Sequence, residues 1–196
     1  MATTDKLAIA FQHFDAANTL DPNTEDFEGT TYPKEVLYGN RMTECLNNFA
    51  PHASEALQIT ARCQHICRWE IARESYEMNR EGYLRWRQDL KKFHAKKASS
   101  ILKEVGYDQA TIDKVTFLLE KKQLKKNEDT QCLEDVICLV FLQYYFEPFA
   151  LKHPEDKTID ILQKTWRKMS PKGQEAALKL PLSKFALDLV TKALSA

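Results

Sequence analysis

The sequence predicts an all-α protein: one domain over residues 1–196, a bundle of about eight or nine helices with its core at about 7–180. Three observations carry that expectation. Apolar residues return every three or four positions through most of the chain, which is the spacing of one helix face. The 196 residues include only 5 glycines, too few for the tight turns of a sheet-rich fold. Residues that start and stop helices stand at the ends of the periodic stretches.

Leu7, Ala10, Phe11 and Phe14 place a first helix over 3–18. Residues 19–32, TLDPNTEDFEGTTY, carry Asp, Asn, Pro and Gly turn chemistry and read as a polar connector. Pro33 suits the first turn of a second helix, whose stripe is Val36, Leu37, Met42, Leu46 and Phe49 and which Ala50-Pro51 ends. Ser54 is the expected N-cap of a third, with Leu57, Ile59 and Ala61 leading into QHICRW. Residues 70–81 lack a clean period and read as an ordered loop lining a site. A long fourth helix over 82–105 buries Leu90, Phe93, Ala98, Ile101 and Leu102 and stops at Gly106.

A fifth helix over 109–122 carries Ile112, Val115, Leu118 and Leu119. The lysine-rich link after it, KKQLKKNED, is either a solvated corner or a lip that attracts a phosphorylated ligand. The sixth, CLEDVICLVFLQYYF over 132–146, is apolar nearly all round and belongs at the centre. Glu134 and Asp135 on it must be paired, hold a cation, or stand in an exposed first turn where acids favour the helix dipole. A seventh helix over 155–168 is followed by one starting at Ser170-Pro171, and Pro181 separates that one from the last.

Lys+Arg and Asp+Glu both number 28, so no overall basic field gathers nucleic acid; RNA is a possible partner but not the favoured one. The start of the chain lacks a basic segment followed by an apolar one, and no run approaches the roughly 18 apolar residues of a membrane span. The expectation is a soluble cytoplasmic protein with no membrane partner. Its five cysteines form no CxxC pair and read as reduced thiols, Cys63 and Cys67 as core. No glycine-rich phosphate loop, dinucleotide fingerprint or nucleophile elbow is present.

The chemistry concentrates in ARCQHICRWEIARESYEMNREGYLRWRQDLKKFHA, residues 61–95. Six of the eight arginines fall there, with two of the three tryptophans and two of the five histidines. Arginine is the planar fork that grips carboxylate or phosphate, so the stretch predicts an anion pocket. Arg62, Arg68, Arg73, Arg80 and Arg87 are the expected phosphate clamps, with Gln64 and Trp69 also in the binding set. Trp69 and Trp86 serve either packing or stacking. His65, His94 and Asp135 come from three elements that a bundle brings together. Two imidazoles and a carboxylate can hold a divalent metal with open positions, which would activate water on a phosphoester. Glu134 supports the catalytic pair His65 and Asp135. Without metal, His65 is an acid or base near neutral pH. The bland alternative pairs the arginines with Glu70, Glu74, Glu81 and Asp89 in a salt-bridge network.

QHICRWEIAR, GYLRWRQDLKKFHA, QCLEDVICLVFL and KTWRKMS, in that order, resemble the all-helical proteins grouped as domain of unknown function 4202. The likeness runs from about Phe11 to Leu180. This chain has Ala72 where the family pattern carries proline, and Glu77 and Asn79 where it carries proline and glycine. The order of helices is also similar to the HD superfamily of metal-dependent phosphohydrolases. Laid on that pattern, Gln64 and His65 replace the paired ligand histidine and aspartate, His94 matches a later histidine and Asp135 the final aspartate. The pattern's first histidine has no counterpart, with Tyr38 or Arg41 nearby. The resemblance implies a phosphohydrolase acting on a nucleotide or other small phosphorylated compound, with a divalent metal where the ligands allow one. The alternative is a binding module that keeps the fold, has lost the metal and uses the arginine pocket.

Overall fold

A computed structural model describes residues 5–195. Among them are ten α-helices and one two-stranded hairpin, so the protein is all-α as its periodicity predicts. The helices are α1 (Lys6–Asn18), α2 (Lys34–Phe49), α3 (Glu55–Cys63), α4 (Arg80–Val105), α5 (Gln109–Leu119), α6 (Glu128–Val140), α7 (Phe146–Ala150), α8 (Glu155–Lys168), α9 (Pro171–Ala177) and α10 (Lys184–Ser195).

Local chemistry explains most boundaries. Asp5, Ser54, Asn79, Asp108, Asn127 and Ser170 each accept a backbone N–H in the first turn of the helix they precede. Gly106 ends α4 in the left-handed conformation. The fifth helix stops at Leu119, three residues short of its expected end. The link beyond it alternates into the left-handed region at Lys121, Gln123 and Lys125, which no helix can follow. The sixth helix starts earlier than its apolar run, at Glu128, and passes through a π-helical turn at Phe141–Tyr145 into α7. That break is why ten helices stand where eight or nine were expected.

The connector at 19–32 is not structureless. Thr24–Phe27 (β1) pairs antiparallel with Thr30–Pro33 (β2) across Glu28-Gly29. Both turn residues have positive φ, 50° and 78°, as a two-residue hairpin turn of the right twist requires. Glycine at the second position makes the turn inexpensive; its tip was the overlooked strand signal.

Three apolar clusters fill the interior. The first joins Ala10 and Phe14 of α1, Ile59 and Cys63 of α3, Leu102 of α4 and Val115 of α5. The second joins Met42 and Leu46 of α2, Leu57 of α3 and Leu133, Val136 and Val140 of α6. The third joins Leu139 and Phe146 to Leu162 of α8 and Leu189 of α10. The turn after α3 lies at the seam of the first two, since Ile66 belongs to one and Tyr38, which packs over that turn, to the other. Helices α2 and α3 meet closely at Gly39, where a Cβ would lie 2.9 Å from the Arg62 carbonyl oxygen. Gly39→Ala is therefore expected to force the two helices apart and cost about 1–3 kcal/mol. Thermal unfolding followed by circular dichroism should show a fall of roughly 3–10 °C.

Candidate functional site

Asn18, the last residue of α1, is 2% exposed and ties together the pieces that carry the site. Its side-chain oxygen accepts the N–H of Cys67 at 2.9 Å, and its amide nitrogen donates to the carbonyl of Glu35 at 3.4 Å. Cys67 is left-handed at φ 50°, an unfavourable conformation for a non-glycine residue. This bend turns the chain after α3 so that His65 and Arg68 face the start of α2. Glu35 is held from its other side, where its N–H donates to Asp21 at 3.2 Å.

The groups assembled there are Glu35 and Tyr38 of α2, Gln64, His65 and Arg68 after α3, and His94 of α4. Tyr38 stacks on the His65 ring, with centroids 4.0 Å apart and planes 14° from parallel. Burial pushes the Tyr38 phenol well above its usual range, so it stays protonated and donates to Gln64 Oε1 at 2.9 Å. An Arg68 Nη stands 3.2 Å from His65 Nε2. A guanidinium has no acceptor, so Nε2 accepts and the ring proton of neutral His65 sits on Nδ1. Nδ1 faces Glu35 Oε2 at 3.3 Å, without the alignment of a full hydrogen bond. Burial, then the Arg68 charge, hold the His65 pKa well below its usual value. Burial and the neighbouring His65 do the same to His94, whose ring lies 5.9 Å from that of His65. His94 Nε2 is buried with no partner. Burial raises Glu35 from its ordinary 4.5 to about 7.

Cations crowd the outer side of this cluster. Arg68 lies over the Trp86 ring at 4.7 Å, and Trp86 donates to the Ile71 carbonyl at 2.9 Å. The charges of Arg87 and Lys121 both bear on His65. Lys91 is pulled below its usual range by burial and then by Lys121, Arg87 and Lys168. Lys121 donates to Glu134 at 2.7 Å, and Lys168 stands 3.7 Å from the same carboxylate. Six cations (Arg68, Arg87, Lys34, Lys91, Lys121 and Lys168) thus bear on a cluster with three acids, Asp21, Glu35 and Glu134; burial raises Glu35, while the neighbouring lysines keep Glu134 below its usual value.

The expected site is gathered only in part. His65, His94, Gln64 and Arg68 come together; Arg87 reaches the Tyr83 hydroxyl at 3.5 Å, and only its charge bears on His65. Arg62 does not join them: it pairs with Asp15 of α1 and touches Thr43. Arg73 donates to the carbonyls of Tyr76, Glu77 and Asn79 and so holds the 70–81 loop in its own shape. Arg80 is exposed at the start of α4, and Trp69 packs against the first apolar cluster. Asp135 is 2% exposed and is occupied elsewhere. It accepts from Ser170 N at 2.8 Å, Ser170 Oγ at 2.6 Å and Gln131 at 3.1 Å, and so anchors the start of α9. Glu134, one residue earlier, faces the cation cluster. Successive helix positions point about 100° apart, so the two neighbouring acids serve different partners.

His65, His94 and Asp135 therefore do not fit a divalent metal. Asp135 has both oxygens engaged, and a guanidinium stands on His65 Nε2. Among the described residues no group of three or more His, Cys, Asp or Glu is arranged to hold a metal ion. Glu35 was missed because an acid in a helix's first turn reads as a dipole partner. Lys121 opens the lysine-rich link that the sequence offers as a lip for a phosphorylated ligand, whereas Lys91 and Lys168 carried no local signal, since a lysine's direction is decided by packing.

Asp135→Ala should unfold the chain more readily, by about 3 kcal/mol, through the donors it leaves unpaired; urea melts report this directly. Glu35 has a separate pH signature. Its folded pKa lies above the unfolded one, so its favourable contribution is complete below about 4.5 and is lost as pH rises through about 7. The neutral imidazoles act oppositely, with stability present above about 6.5 and lost as pH falls below it. Glu35→Gln should accordingly raise stability at pH 8 by about 1–3 kcal/mol and little at pH 4. Denaturant melts across that range check the sign.

Among the described residues no helix is long and apolar enough to cross a membrane. All five cysteines are free. No curated protein and no solved structure matches the chain. Residues 8–190 match the family described as Domain of unknown function (DUF4202), the same sequence over which an all-helical frame carries the Glu35–His65–Arg68 cluster. The chain belongs to the DUF4202 family.

Proposed function

We propose that the protein binds a small phosphorylated compound, a nucleotide or a smaller phosphate ester, at the cation cluster beside His65, without a metal. The observation that carries this reading is the excess of cations: Arg68, Arg87, Lys34, Lys91, Lys121 and Lys168 stand against Asp21, Glu134 and a Glu35 that burial makes easy to protonate, at a partly buried place. Like charges so gathered repel one another, and a dianionic phosphate relieves that repulsion while satisfying their donors. Arg68 and Arg87 act as the phosphate fork, and Lys91 and Lys121 as point charges around it. A buried atom beside the cluster without a partner, His94 Nε2, fits a site that is completed by a ligand.

The HD resemblance supports the same reading in a metal-free form. The positions that it aligns with metal ligands, Gln64 and His65, touch Tyr38, which stands near the place of the missing histidine. In this protein those positions carry an amide, an imidazole and a phenol, and a guanidinium supplies the positive charge.

The test is thermal shift against a panel of nucleoside monophosphates, sugar phosphates and inorganic phosphate, with and without divalent metals. A ligand at a hundred times its Kd stabilises by about 2.7 kcal/mol. Arg68→Ala and Arg87→Ala should each weaken binding about 10- to 100-fold, while Arg80→Ala should leave it unchanged. Absence of a shift across the panel, or a shift that survives both arginine substitutions, overturns the proposal.

A further inference from the structure

We propose that His65 is a covalent nucleophile, whose Nε2 takes the phosphoryl group from a phosphomonoester and then yields it to water. The inference rests on the binding site proposed above and adds a reaction to it. The geometry that points to it is the arrangement around one ring. A hydrogen-bond donor that cannot accept, the Arg68 guanidinium, faces Nε2 at 3.2 Å, so that nitrogen carries the lone pair. A carboxyl group faces Nδ1 at 3.3 Å. Tyr38 stacked at 4.0 Å fixes the ring plane. His65 keeps 21% of its side chain exposed, so the ring is not sealed from a ligand. The result is an imidazole with a fixed tautomer, an orienting acid behind it and a cationic fork at its reactive nitrogen, which are the parts that nucleophilic catalysis by a side chain requires.

The step balances without a metal or an oxidant. The Nε2 lone pair forms an N–P bond as the P–O bond to the leaving group breaks, and that electron pair departs on the leaving oxygen. An alkoxide leaving group takes a proton from water; a carboxylate or phenolate needs none. The positive charge that develops on the ring is discharged as Nδ1–H passes its proton to the ionised Glu35, leaving a neutral phosphoimidazole. Water then attacks phosphorus, Glu35 returns the proton to Nδ1, and His65 leaves as neutral imidazole with inorganic phosphate. Arg68 turns from Nε2 to the phosphoryl oxygens as the ligand enters, and Arg87 meets the charge that builds on them. Burial raises Glu35 to about 7 and holds His65 below its usual value, so an ionised Glu35 takes the proton readily once the ring becomes charged. Glu35 is a positioning and proton-holding residue; His65 is the catalytic one.

The experiment incubates the full chain with acetyl phosphate, whose acetate leaves unprotonated, and follows the intact mass and the site of modification under basic conditions that preserve phosphohistidine. One added phosphoryl group on His65, lost on mild acid treatment and absent from His65→Ala, is the expected result. Arg87→Ala should slow labelling by roughly 10²-fold. Glu35→Gln should lose the pH dependence of labelling near 7, a change that a merely structural role would not cause. Because an intermediate can turn over before it accumulates, the second measurement is the configuration at phosphorus during hydrolysis of a chiral thiophosphate ester. Retention signals two displacements and supports the covalent route. Inversion, a label on another residue, or bound phosphate with neither label nor release each overturns it while leaving the binding site intact. Failure to bind any phosphate ester instead removes the proposed function as well.

Discussion

Asn18 is the single amide on which the arrangement depends. A left-handed, non-glycine residue inside a core is unfavourable, and Cys67 holds that conformation because its N–H is met by the buried Asn18 oxygen. The other end of the same amide meets the carbonyl of Glu35. One side chain at the end of α1 therefore sets the separation of α2 from the turn after α3. Nothing about His65 or Arg68 alone would put them beside a carboxyl group. With both ends of Asn18 satisfied, the imidazole, guanidinium and carboxyl have little choice of position, and their burial together shifts all three in the directions that keep the imidazole neutral and the carboxyl easily protonated.

A second buried cation braces the same wall from outside. Arg41 is 5% exposed and donates to Glu25 at 2.5 Å and to the Tyr145 hydroxyl at 2.8 Å. Its guanidinium lies among Phe27, Tyr144 and Tyr145, at 4.7, 4.3 and 5.2 Å from their ring centres. Phe27 and Glu25 come from the hairpin, and both tyrosines from the π-helical turn after α6. The hairpin is thereby fastened to the bundle, and Tyr145 is brought 6.0 Å from Tyr38, behind the His65 stack. The wider π turn places Tyr144 and Tyr145 together against one guanidinium. Two irregular segments, neither of them part of a regular helix, thus support the face on which the site is built.

Arginine density at 61–95 was a sound signal that charge is organised there and a poor guide to which arginines do it. Arg62 and Arg68 lie six residues apart, yet one is spent on α1 and the other reaches the imidazole. The difference is the bend at Cys67, which lies between them and leaves no mark in a helical pattern. Asp135 illustrates the same limit from the acid side. The apolar run left open whether it is buried or stands in an exposed first turn; it is buried, and its partner is a serine 35 residues away that starts another helix. Glu134 and Asp135 could not be told apart by position in the chain, because which way each points is decided by what α6 packs against.

What the chain determined locally were its class and most helix limits, because periodicity, caps and glycine stops act within a turn or two of the residues that carry them. The α-helical character of the whole is legible in that way. The tertiary structure decided which carboxyl group faces the imidazole, which cations bear on it and what Asp135 does. Each of those depends on contacts between residues far apart in sequence, made through long side chains whose direction is chosen only when the helices have packed.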